Sequence, residues 1–184
     1  MLQPAALGAK SGECQFEVST SNCGDHRVRT KEHERAGEKY DESGREVISV
    51  PMRTLDDVLD KCPGDFKRRI GLCWIDVQGF EGEVLKCAEK QFCKLSWPSV
   101  LEFWPYGMNS AGIDAATFAS IVGKAWTKFV VLEEGNEVWH PISHIGRSER
   151  RFLYTERTRV DCAEVPVSAS RISMAESDQP RRNG

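Results

Sequence analysis

The chain holds 184 residues, 40% of them hydrophobic and 29% charged, which is enough apolar content for one globular core. Its net charge of −3 argues against a general nucleic-acid binder, which carries a basic surplus to meet phosphates. No apolar run is long enough to cross a bilayer, so neither nucleic acid nor membrane is expected as a partner.

Seven cysteines lie at 14, 23, 62, 73, 87, 93 and 162 with no CxxC pair, so their spacing builds no zinc site. The start, "MLQPAALGAKSGE", lacks the charged-then-apolar layout of an export signal. An odd number of thiols without such a signal points to reduced cysteines and a cytoplasmic location. The basic runs Lys67–Arg69 and Arg147–Arg151 read as solvated surface.

Along the chain, Gly12–Val18 alternates apolar and polar residues and predicts a strand, followed by a long polar loop. Val47–Val50 predicts a second strand, ended by Pro51. Leu55, Val58, Leu59 and Cys62 recur at helical spacing, with Thr54 and Asp57 placed as a capping box and Pro63-Gly64 as the stop. The run "IGLCWI", Ile70–Ile75, predicts a strand covered on both faces.

Past Gly79 the period changes, and Val84, Leu85, Ala88, Phe92 and Leu95 mark a second helix. Val100–Phe103 predicts a further strand with Glu102 inside it, and Asp114 caps a third helix that buries Phe118, Ile121, Val122 and Ala125. "KFVVLEEGNEVWHPI" reads as an antiparallel hairpin with a Gly-Asn turn. Strands alternate with helices and a hairpin closes the series, which predicts an α/β fold: an open, mostly parallel sheet with an antiparallel edge. Residues 1–146 form the domain, and 147–184 are expected to be an irregular or disordered tail, because apolar periodicity fades there.

In such a sheet, ligands bind outside the carboxyl ends of the strands. Asp76 ends one strand there, Glu102 lies near the same edge of the next, and Glu81 opens the following helix. Gly79 would let the backbone turn sharply or approach a ligand closely. Taken singly, Asp76 reads as a turn residue, Glu81 as a charge favourable to the helix dipole, and Glu102 as a satisfied core acid. As a set on one rim they would repel one another unless a cation, a proton or a donor joined them. His26, beside Asp25 in "NCGDHRV", is a candidate acid–base group. His140 and His144 are four apart with Pro141 between them, and they read as surface or turn residues rather than metal ligands. Trp104, Pro105 and Tyr106 are candidates for a pocket wall or for core packing.

"VPMRTLDDVLDK", "IDVQGFEGEVLKCAEKQF" and "SVLEFWP", in this order and spacing, resemble the second half of the FkbM family of S-adenosylmethionine-dependent methyltransferases. The resemblance runs from about Ala5 to Ile142. By it, Asp76, Gly79 and Glu81 match a Lys-x-Asp-x-Glu-Gly-x-Glu block, and Glu102 matches the glutamate of the next strand. It departs from the family pattern at Trp74, where a Lys is usual, and at Gln78, where a Glu is usual. The resemblance implies a class I, Rossmann-like methyltransferase fold and S-adenosylmethionine as cofactor. Leu7 and Gly8 would then lie near the adenine edge, with Asp76 and Gly79 also at the cofactor. Asp76, Glu81, Glu102 and His26 form the candidate catalytic set, and the acceptor is expected to be a hydroxyl of a small molecule or sugar. The family's glycine-rich cofactor turn and its first two strands have no counterpart before Ala5. The sequence is therefore expected to be the carboxy-terminal part of a longer enzyme, leaving Gly12–Val18 without a partner strand. The rival expectation is an inactive remnant serving as an interaction module. No metal is assigned, and a carboxylate-held divalent cation remains as a third class.

Overall fold

The alternating segment from Gly12 does form a strand, but it has neighbours on both sides. The computed structural model describes residues 2–30, 44–95, 97–135, 138–146 and 151–156. Its first sheet contains β1 (Ala6–Leu7), β2 (Gly12–Val18), β3 (Arg27–Val28) and β4 (Glu46–Arg53), in the order β1-β4-β2-β3. β2 pairs with β4 along its whole length, from Gly12 opposite Met52 to Val18 opposite Glu46, and this corrects the expectation that Gly12–Val18 is unpartnered. β4 also runs through Pro51 rather than ending there. β1 pairs only with Met52 and Arg53, so one flank of β4 is an edge at Pro51, where a sheet tolerates proline. Between β2 and β3, the paired residues Glu17 and Arg27 are both buried and joined by an ion pair at 3.2 Å.

The chain then enters α1 (Leu55–Asp60), where half of the expected capping box forms: the Thr54 hydroxyl accepts the Asp57 amide at 3.0 Å. The Thr54 amide donates to Ser11 Oγ at 3.3 Å rather than to the Asp57 carboxylate, which takes the Ser11 hydroxyl. The second sheet contains β5 (Cys73–Ile75), β6 (Ser99–Phe103), β7 (Lys128–Val131), β8 (His140–Pro141) and β9 (Arg151–Glu156), ordered β5-β6-β9-β7-β8. Helices α2 (Glu81–Cys87), α3 (Glu89–Leu95), α4 (Pro105–Ser110) and α5 (Ala115–Gly123) fall between these strands. The fold is α/β, yet it is neither one sheet nor mostly parallel. Parallel pairing occurs at β1·β4 and β5·β6, whereas the other described pairs are antiparallel. β8 does lie antiparallel to β7 at the sheet edge, as the hairpin reading expected. Leu132–Glu134 forms a 3-10 turn instead of extending the strand, and Asn136 of the expected turn lies outside the described residues.

Two further corrections concern strands. Of Ile70–Ile75 only Cys73–Ile75 pairs, and Trp74 is 60% exposed, so this strand is not covered on both faces. The expected irregular tail instead supplies β9, which lies between β6 and β7 in the middle of the sheet, while residues 157–184 lie outside the described residues. The predicted second helix is broken at Ala88 into α2 and α3, although Val84, Leu85, Ala88 and Phe92 keep one apolar stripe across the break.

The core lies on one face of the second sheet, where Ile75, Leu101, Phe129 and Leu153 meet Val84 and Leu85 of α2 and Phe118 and Val122 of α5. Strand alternation turns Trp74, Val100, Phe152 and Tyr154 to the other face, where the Trp74 and Phe152 rings lie 5.5 Å apart. Leu7 of β1 and Leu55 of α1 pack against the core from outside, so Leu7 ties the first sheet to it. No helix of the described residues is long and apolar enough to cross a membrane.

Because the Thr54 hydroxyl caps α1, Thr54→Ala should lower stability by about 1 kcal/mol. Urea unfolding of both proteins checks this, and an unchanged midpoint would mean that the cap contributes nothing.

Candidate functional site

The parallel register of β5 and β6 sets the site. Cys73 lies beside Ser99, Trp74 beside Val100 and Ile75 beside Leu101. Asp76 follows directly on the end of β5, and Glu102 is the last but one residue of β6, so both come close to the carboxyl ends of the pair. Since Ile75 and Leu101 face the helical core, alternation turns both acids to the opposite face. Glu81 joins them from the first residue of α2, and one carboxylate oxygen from each of the three lies within 4.8 Å of the others. Asp76 is exposed, whereas Glu81 and Glu102 are wholly buried.

The turn between β5 and α2 explains how Glu81 gets there. Gln78 and Gly79 both have positive φ, at 53° and 96°, which reverses the chain sharply. A side chain on Gly79 would place its Cβ 2.4 Å from the carbonyl carbon of Gly107 in α4, so the two loops meet backbone to backbone. Inside this turn, Glu81 Oε1 accepts the amides of Val77 at 2.9 Å and of Gly79 at 3.3 Å. Its Oε2 is buried and meets no hydrogen-bond partner among the described residues. Burial pushes the Glu81 carboxyl up to about 7; the amides of Val77, of Glu81 itself and, least, of Gly79 oppose the rise, and the neighbouring Glu102 adds to it.

Gln78, the departure from the family's Glu, keeps that side chain's length and hydrogen bonding without its charge, and it takes a place in the site. Its side-chain amide donates to Asp76 Oδ1 at 2.7 Å. A glutamate there would set a second anion against Asp76, so the departure at this position gives the rim a donor it would otherwise lack. The readable signal was its place two residues after Asp76, across a turn.

The other sequence candidates are placed elsewhere or take structural contacts. His26 lies half-buried in the loop after β2, where its Nδ1 accepts the Ser19 amide at 3.0 Å, and no described contact brings it to the carboxylates. Gly8 donates its amide to the Arg53 carbonyl at 3.0 Å, and the space a side chain would take there is filled by Met52. Leu7 is half-buried against the core. Trp104 is buried behind the rim, packed on Gly107 and lying 5.7 Å beneath the Arg27 guanidinium. His140 packs on the Phe129 ring, and His144 lies in a 3-10 turn, so neither reaches the acids. A surface hollow beside α5 is lined by Ala119, Trp126 and Ile142 and by none of the acids.

With that geometry in view, comparison with known families gives a match: the family described as the methyltransferase FkbM domain matches residues 2–110. The match covers the first sheet, the three acids and α4, and it ends before β7, short of Ile142. No curated protein and no solved structure matches the chain.

The Glu81 carboxyl gives a pH test of stability. Its pKa in the folded chain, about 7, exceeds the ordinary 4.5, so the folded chain holds that proton more tightly than the unfolded one. Its contribution to stability is complete below pH 4.5 and is lost as pH rises to about 7, a change on the order of 3 kcal/mol. Glu81→Gln mimics the protonated acid and should remove this fall, leaving the variant more stable than the parent at pH 8. Urea unfolding at pH 5 and pH 8 in chelated buffer checks it, and parallel pH dependence in both proteins would refute the assignment.

Proposed function

The chain belongs to the FkbM family of methyltransferases, and from that premise we propose that it is the acceptor-side part of an S-adenosylmethionine-dependent enzyme that methylates a hydroxyl of a small molecule or sugar. The observation that carries this reading is the meeting of Asp76, Glu81 and Glu102 at the carboxyl ends of the one parallel strand pair in the second sheet. Open α/β sheets bind their ligands at that edge. A rim of acids also suits a cationic donor, and Glu81 Oε2 has no hydrogen-bond partner there among the described residues.

The cofactor, when bound, supplies a methyl group on a sulfonium. Transfer of that methyl to an acceptor oxygen would release the neutral thioether and would require the hydroxyl proton to be taken up by the protein. This chain's part is to align the acceptor and take that proton. Asp76 is the exposed acid, held by Gln78, and it orients the acceptor hydroxyl or faces the donor's charge. Glu102 lies directly beside it and serves as the base or as the proton's next station. Glu81 positions the turn and, through it, Asp76. His26, the other candidate base, stays with its Ser19 contact in the described arrangement. Leu7 and Gly8 lie at the end of β1, where the resemblance assigns the adenine edge. The family's glycine-rich donor turn has no counterpart in these residues, so the reading places the donor's main contacts in sequence outside them. The Rossmann-like class I arrangement and a cytoplasmic location belong to the same proposal.

Two measurements test the reading. In a chain extended by its in-frame upstream coding sequence, Asp76→Asn and Glu102→Gln should each lower kcat/KM for methyl transfer about 100-fold or more with the fold retained. Parent rates in both variants would sink the proposed site, and an extended chain without any methyl transfer would favour a non-enzymatic interaction module. Titration of the 184-residue chain with S-adenosylmethionine should show little or no binding. Tight, saturable binding would mean that the donor site is already complete.

A further inference from the structure

We infer that Asp76, Glu81 and Glu102 form a binding site for one hard divalent cation, of the Ca2+, Mn2+ or Mg2+ class. The three acids come from three elements: the end of β5, the first residue of α2 and the interior of β6. Only the fold brings them together, with one oxygen from each inside a 4.8 Å span. Two oxygens on opposite sides of a bound Ca2+ are about 5 Å apart, and on Mg2+ about 4 Å. The span therefore accepts Ca2+ as it stands, and a smaller ion after slight closure.

The orphaned oxygen points the same way independently. Glu81 Oε1 is fixed by two backbone amides, which aims Oε2 in a set direction, and that atom is buried without a hydrogen-bond partner among the described residues. A buried carboxylate oxygen in this position calls for a cation or a proton. The surroundings are also stiff. Gly79 against Gly107 locks the turn, and the Gln78 amide orients Asp76. An all-oxygen donor set favours hard ions over zinc or copper. Asp76 is the exposed member, so water or substrate oxygens complete the shell from its side.

Binding of the ion depends on no catalytic reading. If the methyltransferase proposal holds, the ion lies where the acceptor hydroxyl docks and lowers the cost of removing its proton.

The test is calorimetric titration of the 184-residue chain with Ca2+, Mn2+ and Mg2+ in metal-free buffer at pH 8, with neither donor nor acceptor present. Saturable one-to-one binding is expected, tightest for Ca2+, with a melting temperature that rises with ion concentration. Asp76→Asn alters an exposed side chain and should fold normally, yet weaken binding about tenfold or more, as should Glu102→Gln. Thr54→Ala, remote from the rim, should bind like the parent. Absence of saturable binding by any of the three ions would overturn the inference in favour of a proton shared by the buried acids. Binding unchanged in both acid variants would overturn it as well. Because no methyl donor is present, neither result depends on whether the chain methylates anything.

Discussion

The carboxylate of Glu81, folded back from α2 onto the amides of Val77 and Gly79, holds the turn that brings Asp76 against Glu102. Hydrogen bonds to a charged acceptor are worth roughly 1.5–3 kcal/mol each. The burial they accompany works against them, and burial wins, because the carboxyl is pushed up to about 7. The turn thus stores an unfavourable group at its centre. An apolar side chain at 81 would avoid that cost but leave two amides without acceptors and Asp76 without a fixed position. A cost retained at a ligand-facing edge is the usual mark of a working site.

The rim is also tied to the rest of the chain by close backbone packing. Gly79 on Gly107 joins the loop after β5 to the helix after β6, and the Trp104 ring presses on Gly107 from behind. Arg27 lies over that ring and is paired with the buried Glu17 of β2, so a contact path runs from the first sheet to the acids. Truncating either member of the buried pair would leave an uncompensated charge, a far larger loss than the pair's net contribution. The Thr30 hydroxyl, which donates to the Ser110 carbonyl of α4, makes a second such tie. The first sheet acts on the site by holding α4 in place, since its own candidate, His26, stays with Ser19.

What was legible in the sequence follows from which forces are local. Apolar runs before Asp76 and around Glu102 mark strands, and the register of two strands then fixes where their acids meet. The side-chain caps at Thr54 and Asp114 are local chemistry and both form, whereas the return half of the box at Asp57 is diverted to Ser11, a residue remote in sequence. Partner choice is not local. Gly12–Val18 shows its period of two but not that β4 lies beside it, and β9 hides an ordinary alternation, Phe152 and Tyr154 against Leu153 and Thr155, among charged flanks. The Ala88 break leaves the apolar stripe intact and so leaves no trace in the pattern. Glu81 was readable as an acid in a first turn; its reach back to Val77 depends on two positive φ angles, one of them at a glutamine.

The charge at the rim follows from the same arithmetic. Two carboxylates at the 4.8 Å limit of the cluster repel by about 3.5 kcal/mol at an effective dielectric near 20. For the buried pair Glu81 and Glu102 alone, that is a large share of the 5–15 kcal/mol that holds an ordinary domain together. A cation or a proton at the trio would offset that repulsion. A fourth acid at position 78 would have added another repulsion within hydrogen-bonding distance of Asp76. Gln78 instead gives Asp76 a donor, which leaves three negative charges where one divalent cation would still leave a net negative rim. Such a rim retains its attraction for a sulfonium, so the glutamine is compatible with both an ion and a methyl donor at the same edge.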